Sequence, residues 1–215
     1  MRRYHPRDSF SSFQCLGPLS LTPLRLIASG TCVLLAVAVL CAAEFAAQKA
    51  PLAAQASPPS EYQVKATYLY NFGKFVEWPA RALAEGDSFA ICILGRDPFG
   101  PILDATLAGE TLKGTPAVAR RIARVQDAAG CRILFISSSE RAQVPHILAT
   151  ISKMAVLTVS DIAGFAERGG MVQFVLDDCR VRFELNVAPA ASAGLTLSAQ
   201  LLQVAKSVRG ASSGI

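Results

Sequence analysis

Residue types that carry out acid–base or nucleophilic catalysis are sparse in this 215-residue chain. His146 is the only histidine after position 5, and the sequence shows no partners that would complete a catalytic triad or a zinc site around it. None of the serines at 137 to 139 lies in the G-x-S-x-G pattern that exposes a nucleophile in many hydrolases. The sequence therefore predicts a protein that is not an enzyme and binds no cofactor, with His146 at the surface or at a helix end.

The loop from Gly95 to Gly100 could bind an anion. It follows an expected strand and opens an expected helix, with Asp97 as the N-cap and Pro98 at the first helical position, where free backbone N–H groups can hold an anion. The loop lacks the Lys-Ser/Thr pair of nucleotide-binding loops, and the Asp97 carboxylate would repel phosphate. A structural turn is favoured, and a ligand groove formed by Gly95, Arg96 and Asp97 is the alternative.

Three of the six cysteines, Cys92, Cys131 and Cys179, lie in the part of the chain that we expect to fold. Thiols outside the cytoplasm tend to pair, and Cys92 and Cys131 stand at equivalent places, inside one apolar strand and at the start of another. We predict a disulfide between these two. Cys179 is then either a small buried residue, which is favoured, or a reactive or intermolecular thiol. Without a C-x-x-C pattern, neither a thioredoxin-type centre nor a four-ligand zinc site is supported.

Aromatic residues are concentrated between positions 68 and 78, where the sequence places Tyr68, Tyr70, Phe72, Phe75 and Trp78. Five aromatic side chains in eleven residues cover more than one face of a helix. Some of them should therefore stay at the surface after the core is filled. Polar residues between them could form the rim of a contact site. The binding candidates of this segment are Tyr70, Asn71, Lys74, Glu77 and Trp78.

The remaining charged groups are better explained by structure than by chemistry. An arginine cluster could meet an acidic partner, but a solvated sheet edge is favoured because such residues also protect edges from aggregation. The cluster consists of Arg120, Arg121, Arg124 and Arg132. Ser137 and Glu140 have the spacing of a capping box. Asp177 and Asp178 are adjacent in an expected hairpin, where they are interpreted as turn residues.

The N-terminal part of the chain has the composition of an export signal. An 18-residue run without a charge, residues 26–43, follows several arginines, which is typical of a signal peptide and borders on the length of a membrane span. We therefore expect residues 1–43 to be a signal peptide or an N-terminal anchor, with the rest outside the cytoplasm. Residues 44–60 are predicted to be a linker, 61–208 the folded domain and 209–215 a disordered tail.

The net charge of +5 overstates how basic the folded part is. Residues 1–56 hold five of the 21 Lys and Arg residues and two of the 16 Asp and Glu residues, so the remainder carries only +2. A domain that is nearly neutral does not have the electrostatic footprint of a nucleic-acid-binding protein. Nucleic acid is therefore not expected as a partner.

Apolar runs of strand length alternate with helical patterns along the domain. Helices are predicted over 60–78, 98–107, 125–130, 138–154 and, as one long final helix with Pro189 near its first turn, 189–208; residues 161–170 are predicted to form a short helix and a turn. Strands are predicted over 89–95, 115–122, 132–137 and 155–160, followed by a hairpin of 171–177 and 179–187 that turns at 177–178. Near-continuous apolar strands require a sheet covered on both faces. The predicted fold is α/β, with a three-layer, mostly parallel sheet flanked by helices and a late antiparallel hairpin.

Several of these segments together resemble the YfiR family. They are YLYNFGKFVEWP, CILGRDPFG, CRILFIS, LTVSD with GFAERGGMVQF, and VRFELN with AGLTLSAQLLQVAKSV, and the match runs in order over residues 62–208. The resemblance implies a periplasmic α/β protein, often dimeric, in which Cys92 and Cys131 match a disulfide pair. Relatives can carry a second pair with a cysteine near position 179, but Cys179 has no nearby mate, so a two-disulfide redox switch is not expected.

The best-described member of that family represses an inner-membrane diguanylate cyclase by binding its periplasmic domain. By resemblance we expect this chain to bind the periplasmic domain of such a cyclase or of a sensor kinase, to lower cyclic-di-GMP and to affect biofilm formation. An outer-membrane lipoprotein and a second copy of the chain are the further partners that the resemblance implies. The alternative hypothesis from another class is a periplasmic receptor for a small molecule, bound in the groove beside Gly95–Gly100.

Overall fold

A twisted eight-stranded sheet runs through the part of the chain that the computed structural model describes, residues 59–83 and 88–210. Its strands are β2 (Phe89–Leu94), β3 (Thr111–Leu112), β4 (Thr115–Ile122), β5 (Ile133–Ile136), β6 (Leu157–Ser160), β7 (Val172–Asp177), β8 (Arg180–Asn186) and β10 (Ser207–Arg209). Two further strands, β1 (Val76–Glu77) and β9 (Thr196–Leu197), pair with each other. All of these belong to the compact unit Ala56–Ile215.

Six helices and two 3₁₀ helices accompany these strands in the described residues. The helices are α1 (Glu61–Phe75), α2 (Ala80–Leu83), α3 (Pro101–Leu107), α4 (Val144–Ile151), α5 (Val187–Ser192) and α6 (Ala199–Val204), and the 3₁₀ helices are η1 (Val125–Gly130) and η2 (Ser138–Gln143). The expected signal or anchor, most of the expected linker and residues 211–215 of the expected tail lie outside the described residues.

The strand order of the sheet is β10-β8-β7-β6-β5-β2-β4-β3. The central strands β4, β2, β5, β6 and β7 pair in parallel, whereas β7 and β8 form an antiparallel hairpin. At the two edges, β10 pairs in parallel with β8 and β3 pairs antiparallel with β4. The predicted fold class, a mostly parallel sheet with a late antiparallel hairpin, is confirmed.

The sheet is covered on both faces, as its apolar strands predicted. All six residues of β2 are buried: Ile91 and Ile93 pack in one core cluster, and Cys92 and Leu94 pack in the other. The first cluster holds side chains of α1, α3, α5 and α6, and the second holds side chains of η1 and α4. Successive side chains of a strand point to opposite faces, so these two clusters are the two outer interfaces of a three-layer structure.

Helix α1 starts where the sequence predicted and ends earlier. The Ser60 hydroxyl accepts from the Gln63 backbone N–H at 3.3 Å, and the Gln63 side chain accepts from the Ser60 N–H at 2.6 Å, which is a complete capping box. The predicted extension of the helix to position 78 is wrong. Val76 leaves the helix in an extended conformation and pairs with Leu197 in the β1–β9 ladder, because strand pairing and burial outweigh local helical preference here.

The predicted long final helix is wrong. The chain forms α5, then turns at Gly194, whose φ of +74° lies in the left-handed region that glycine adopts without strain. It continues through β9 and α6 and ends in edge strand β10. The Lys206 backbone N–H donates to the Phe183 carbonyl at 2.8 Å and starts the pairing of β10 with β8. Tertiary pairing partners from distant segments thus divide a stretch that reads locally as one helix.

Other boundaries differ from the predictions because of turns and 3₁₀ segments. The helix predicted over 98–107 begins only at Pro101, and the one predicted over 138–154 is η2 followed by α4. Residues 161–170 form turns without the predicted short helix. The hairpin turns at Asp178 and Cys179, whose φ angles are +46° and +59°, rather than at Asp177, which still pairs with Arg180.

Candidate functional site

A buried lysine lies between α1 and the end of β6. Lys65 is only 3% exposed, and its Nζ lies 2.5 Å from Glu61 Oε1 and 2.7 Å from Asp161 Oδ2. Both carboxylates are more exposed than the lysine, at 39% and 16% of their side chains. Because a buried ammonium is costly unless it is paired, these carboxylates are what allows a charge at this position.

Two aromatic rings complete the surroundings of the lysine. Lys65 Nζ lies 4.6 Å from the ring centre of Tyr62 and 5.9 Å from that of Phe174, distances at which the ring quadrupole attracts a cation. The Tyr62 hydroxyl donates to Asp161 Oδ2 at 3.3 Å. Burial, with a further contribution from the negative charge of Asp161, raises the pKa of Tyr62 to about 12. The phenol therefore keeps its proton and remains a hydrogen-bond donor at neutral pH.

The position of this cluster follows from the fold. Glu61, Tyr62 and Lys65 lie in the first turns of α1, which the capping box fixes. Asp161 follows directly after β6, at the carboxyl edge of the parallel strands, where open α/β sheets commonly bind ligands. β7 runs past the end of β6, since Gln173 already pairs with Ser160, and its last residues form a wall beside the cluster.

A cavity of about 320 Å³ opens at this cluster. It is lined by Glu61, Lys65, Asp161, Ala163, Gln173, Phe174, Val175 and Leu176. Leu176 is 60% exposed, although it is a large apolar side chain. The lining of the cavity thus combines charged groups with apolar side chains, which is the usual composition of a small-molecule site.

The exposed large apolar side chains of the described residues lie on one side of the sheet. They are Phe75, Leu176, Val204 and Val208. Leu176 has the same orientation as the core residue Phe174, and Val208 is in register with the core residue Leu185. We call these four residues, together with the groove described next, the α1 face.

The groove on the outer surface of α1 has a volume of about 390 Å³. Its lining consists of Pro59, Gln63, Val64, Thr67, Tyr68 and Asn71. Tyr68 is half-buried and packs edge-on against Phe183 with ring centres 5.3 Å apart, so only part of the ring faces the groove. The α1 face therefore combines a concave surface with exposed apolar side chains on the same side of the sheet, and exposed apolar groups of this kind mark many protein–protein contact sites.

The binding candidates that the sequence placed in the aromatic segment lie in different surroundings in the structure. Asn71 lines the groove. The Tyr70 hydroxyl donates to Glu110, and Lys74 Nζ lies 4.1 Å from the centre of the Tyr70 ring. Glu77 is exposed in β1, whereas Trp78 is 6% exposed and packs in the core, as does Phe72.

The Gly95–Gly100 loop is held by its own side chains. Asp97 Oδ1 accepts from the backbone N–H groups of Phe99 at 2.7 Å and of Gly100 at 3.2 Å, which are the donors that an anion would need. The N-cap of the helix is Gly100 and not Asp97, and Pro98 precedes the helix, so both of these predictions are wrong. The Arg96 N–H donates to the Ser139 hydroxyl at 3.0 Å.

The arginine cluster does not form one patch. Arg121 donates to Asp97 at 2.9 Å and to both oxygens of Asp104 at 2.6 and 2.7 Å, and this contact holds the pKa of the Asp104 carboxyl below its usual value. Arg124 pairs with Asp127 at 3.0 Å. Arg132 is only 4% exposed. Arg120 and Arg121 in β4 and Arg124 just after it are exposed, as a solvated edge requires, whereas Arg132 is buried.

The remaining predicted residues are placed as follows. Cys92 and Cys131 form the predicted disulfide, with a Cα–Cα distance of 5.8 Å. Cys179 is exposed at the hairpin turn, so its predicted burial is wrong. His146 is exposed on α4, as predicted. Ser137 precedes η2 without a side-chain cap, so the predicted capping box with Glu140 is wrong.

Sequence reasoning missed the cluster around Lys65 because its members lie far apart along the chain. Lys65 and Asp161 are 96 residues apart, and nothing in a single sequence indicates that they meet. Two signals were available: Glu61 and Lys65 have the i, i+4 spacing of a helical ion pair, and Asp161 directly follows an apolar strand. Neither signal indicates that the lysine is buried.

The described residues hold neither a metal site nor a membrane-spanning helix. No three His, Cys, Asp or Glu side chains are grouped there so that they could hold a metal ion. Among residues 59–83 and 88–210, none of the helices has the length and apolar character needed to cross a membrane.

Comparison with known proteins identifies a family. The sequence profile described as YfiR/HmsC-like matches residues 62–206. No curated protein sequence matches the chain. A conserved domain protein from Vibrio cholerae O1 biovar El Tor has a TM-score of 0.47 and 10% identity, over 70% of this chain and 60% of its own. An ABC domain from Streptococcus pneumoniae, solved in complex with L-Trp, has a TM-score of 0.41 and 11% identity, over 56% of this chain and 55% of its own.

Proposed function

Since the chain belongs to the YfiR/HmsC-like family, we propose that it represses an inner-membrane signalling protein, a diguanylate cyclase, by binding that protein's periplasmic domain. Family membership supports a periplasmic regulator role in general, and the match from residue 62 to residue 206 is the observation that carries the proposal. Repression of the cyclase would lower cyclic-di-GMP in the cytoplasm and reduce biofilm formation.

The α1 face supports a role in protein binding. Its exposed apolar side chains include Leu176 and Val204, at 60% and 59%. Apolar side chains that are exposed to water are unfavourable in an isolated soluble protein, and a partner that covers them removes this apolar surface from water, which is favourable for binding. We therefore place the contact with the signalling protein on the α1 face. The periplasmic location and the export signal stay part of the proposal.

A binding protein of this kind acts by shifting an equilibrium. If the cyclase exists in an active and an inactive state, the regulator represses it only as far as it binds the inactive state more tightly. A hundredfold preference would shift that equilibrium by about 2.7 kcal/mol. No reaction of the regulator's own is needed, so the proposed role is not enzymatic.

Binding can be tested with the periplasmic domain of a membrane diguanylate cyclase encoded beside the gene. Leu176→Glu and Val204→Glu add a charge at exposed positions of the α1 face, and each should weaken binding about tenfold or more by isothermal titration calorimetry. Ala129→Glu adds the same charge at an exposed position of η1, across the sheet, and should bind as the unchanged protein does. Equal affinities for all three variants would exclude the α1 face as the contact.

The identity of the partner is tested in cells. Deletion of the gene should raise cyclic-di-GMP and biofilm formation, and the Ala129→Glu variant should restore the original levels better than the Leu176→Glu variant. Unchanged cyclic-di-GMP after deletion would argue against a cyclase and leave a sensor kinase as the signalling partner. An outer-membrane lipoprotein and a second copy of the chain stay predictions, to be checked by co-purification.

A second candidate function, a receptor for a small molecule, is favoured by one observation. The cavity at Lys65 has a volume of about 320 Å³ and combines charged and apolar walls. The groove that the sequence placed beside Gly95–Gly100 is less suited to a ligand, because Asp97 already occupies the backbone N–H groups there.

A further inference from the structure

The charges at the cavity do not cancel. One ammonium group, Lys65, faces two carboxylates, Glu61 and Asp161, so the cluster has a net negative charge. Asp161 receives both of its contacts, from Lys65 and from Tyr62, on Oδ2. Within the described residues, Asp161 Oδ1 is therefore left without a hydrogen-bond donor, and the side chain is still 16% exposed toward the cavity.

The lysine itself is not available to a ligand. Its side chain is 4% exposed, and its ammonium is enclosed by two carboxylates and the rings of Tyr62 and Phe174. An anionic ligand would thus meet the carboxylates before it reached the only positive charge of the cavity. The groups that can still interact are carboxylate oxygens, which accept hydrogen bonds from cations.

Part of the cavity lining is apolar. Val175 and Leu176 follow Phe174 at the end of β7, and Leu176 has most of its surface exposed. An apolar group placed against Leu176 would be removed from water together with it, at a gain of about 25 cal/mol per Å². The cavity therefore suits a ligand with a positive charge at one end and an apolar group at the other.

We propose that this cavity binds an organic ammonium ion carrying an apolar group, with the ammonium against Glu61 and Asp161 and the apolar group against Leu176. A free amino acid is a poor ligand, because its carboxylate would enter a site of the same sign. The proposal does not rest on the regulator role, but Leu176 belongs to both the cavity and the α1 face, so a signalling protein on that face and a ligand in the cavity would compete for it.

The probes for the test differ in charge and share one shape. 2-Phenylethylamine, its neutral analogue 2-phenylethanol and the amino acid phenylalanine are titrated into the ¹⁵N-labelled protein. We expect the amine to bind with a Kd of roughly 0.1 to 1 mM, as its size allows, and the other two to bind about tenfold more weakly. The amide signals that shift should lie in the first turns of α1, around Asp161 and in β7.

Variants test the charged and the apolar residues of the cavity separately. Glu61→Gln should weaken binding of the amine about fivefold to tenfold and leave the alcohol unaffected, because it removes a charge and keeps the shape. Asp127→Asn removes a surface charge from η1, across the sheet, and should change neither. Leu176→Ser should weaken both probes. The Glu61 side chain is 39% exposed and Leu176 is 60% exposed, so these variants are expected to fold.

The same chemistry can come from a free amine or from a lysine side chain of another protein. Nα-acetyl-lysinamide distinguishes the sources: tighter binding than that of 2-phenylethylamine assigns the cavity to a protein's lysine, and weaker binding assigns it to a free amine. The proposal is overturned if 2-phenylethanol or phenylalanine binds as tightly as the amine, if no probe binds below 10 mM, or if the shifted signals lie outside α1, Asp161 and β7.

Discussion

At the scale of single residues, the cluster around Lys65 shows how a charge is kept inside an apolar layer. The lysine packs beside Phe174, which is 3% exposed, in the same layer as the first core cluster. Desolvation of the ammonium is offset only if its hydrogen bonds and ion pairs are complete. Removing the lysine should therefore lower the free energy of unfolding by more than the loss of its own contacts, because it also leaves the carboxylates of Glu61 and Asp161 to repel each other.

Replacement of Lys65 tests that account. Lys65→Met keeps the apolar stem, removes the ammonium and should lower the free energy of unfolding by about 2 to 4 kcal/mol in urea denaturation. Lys206→Met is the matched control, since Lys206 pairs with Asp177 at 2.8 Å where both side chains are more than 40% exposed. That solvent-screened pair should contribute much less than the buried one. Similar decreases in the free energy of unfolding in the two variants would show that the buried ion pair stabilises the protein no more than the exposed one.

The raised pKa of Tyr62 makes stability depend on pH at the alkaline end. The folded protein holds the Tyr62 proton up to about pH 12, whereas an unfolded tyrosine releases it near its ordinary pKa of 10.0. Between these values the folded state binds more protons, so the free energy of unfolding falls as pH rises from 10 to 12.

The Tyr62→Phe variant should lose part of this fall, as measured by urea denaturation at pH 10, 11 and 12. Denaturation at pH 7 serves as the reference, because the Tyr62 phenol of the unchanged protein is then protonated in both the folded and the unfolded state. A fall with pH of the same steepness in the variant would mean that the burial of Tyr62 does not contribute to it.

At the scale of elements, the hairpin of β7 and β8 builds both the cavity wall and part of the α1 face. Its turn is tight, with both central residues at positive φ: Asp178 at +46° and Cys179 at +59°. Such two-residue turns match the twist of the strands, and Asn-Gly is the sequence that favours them most. Asp tolerates the left-handed region, whereas Cys is strained there.

Cys179→Gly should therefore raise the free energy of unfolding by about 0.5 to 1 kcal/mol, because glycine adopts the left-handed conformation without strain. Cys179→Ala is the control: it removes the thiol, keeps the Cβ and should change stability little. Thermal denaturation of both variants gives the comparison. If the alanine variant gains as much as the glycine variant, the thiol and not the backbone is the source of the strain.

Elements were predictable where one strong local pattern decides them. The six-residue run of β2 is apolar throughout and could only be a strand covered on both faces, and Ser60 with Gln63 defined the start of α1. The last third was less predictable, because the segment that reads as one amphipathic helix is divided by pairing with β1 and β8, which lie far away in the sequence. Short edge strands depend on their partners more than on their own residues.

At the scale of the whole molecule, the sequence indicated the family and the fold but not the site. The aromatic segment suggested a contact surface, and α1 does carry the groove, yet Phe72 and Trp78 are buried in the core. The cavity needs α1, the end of β6 and the end of β7 at once, and only the folded chain brings Glu61 to Asp161. Local sequence patterns do not predict such long-range contacts, since none of these residues departs from the pattern of the helix or strand in which it lies.

The disulfide acts at the same scale, because it joins two strands of the central sheet. Cys92 in β2 and Cys131 just before β5 are 0% and 1% exposed and close a loop that spans 39 positions and includes α3, β3, β4 and η1. In the chain-entropy model, a crosslink over that length stabilises the folded state by about 3 to 4 kcal/mol, because it restricts the unfolded chain.

The double variant Cys92→Ala/Cys131→Ala should therefore unfold at a lower urea concentration, with a loss of about 3 to 4 kcal/mol or slightly more, since two buried sulfur atoms are removed as well. Reduction of the unchanged protein with dithiothreitol in the denaturant series should give a similar loss, whereas Cys179→Ala should respond to reduction as the unchanged protein does. If the double variant loses less than about 1 kcal/mol, the three layers hold this loop in place without the crosslink, and the bond has little effect on stability.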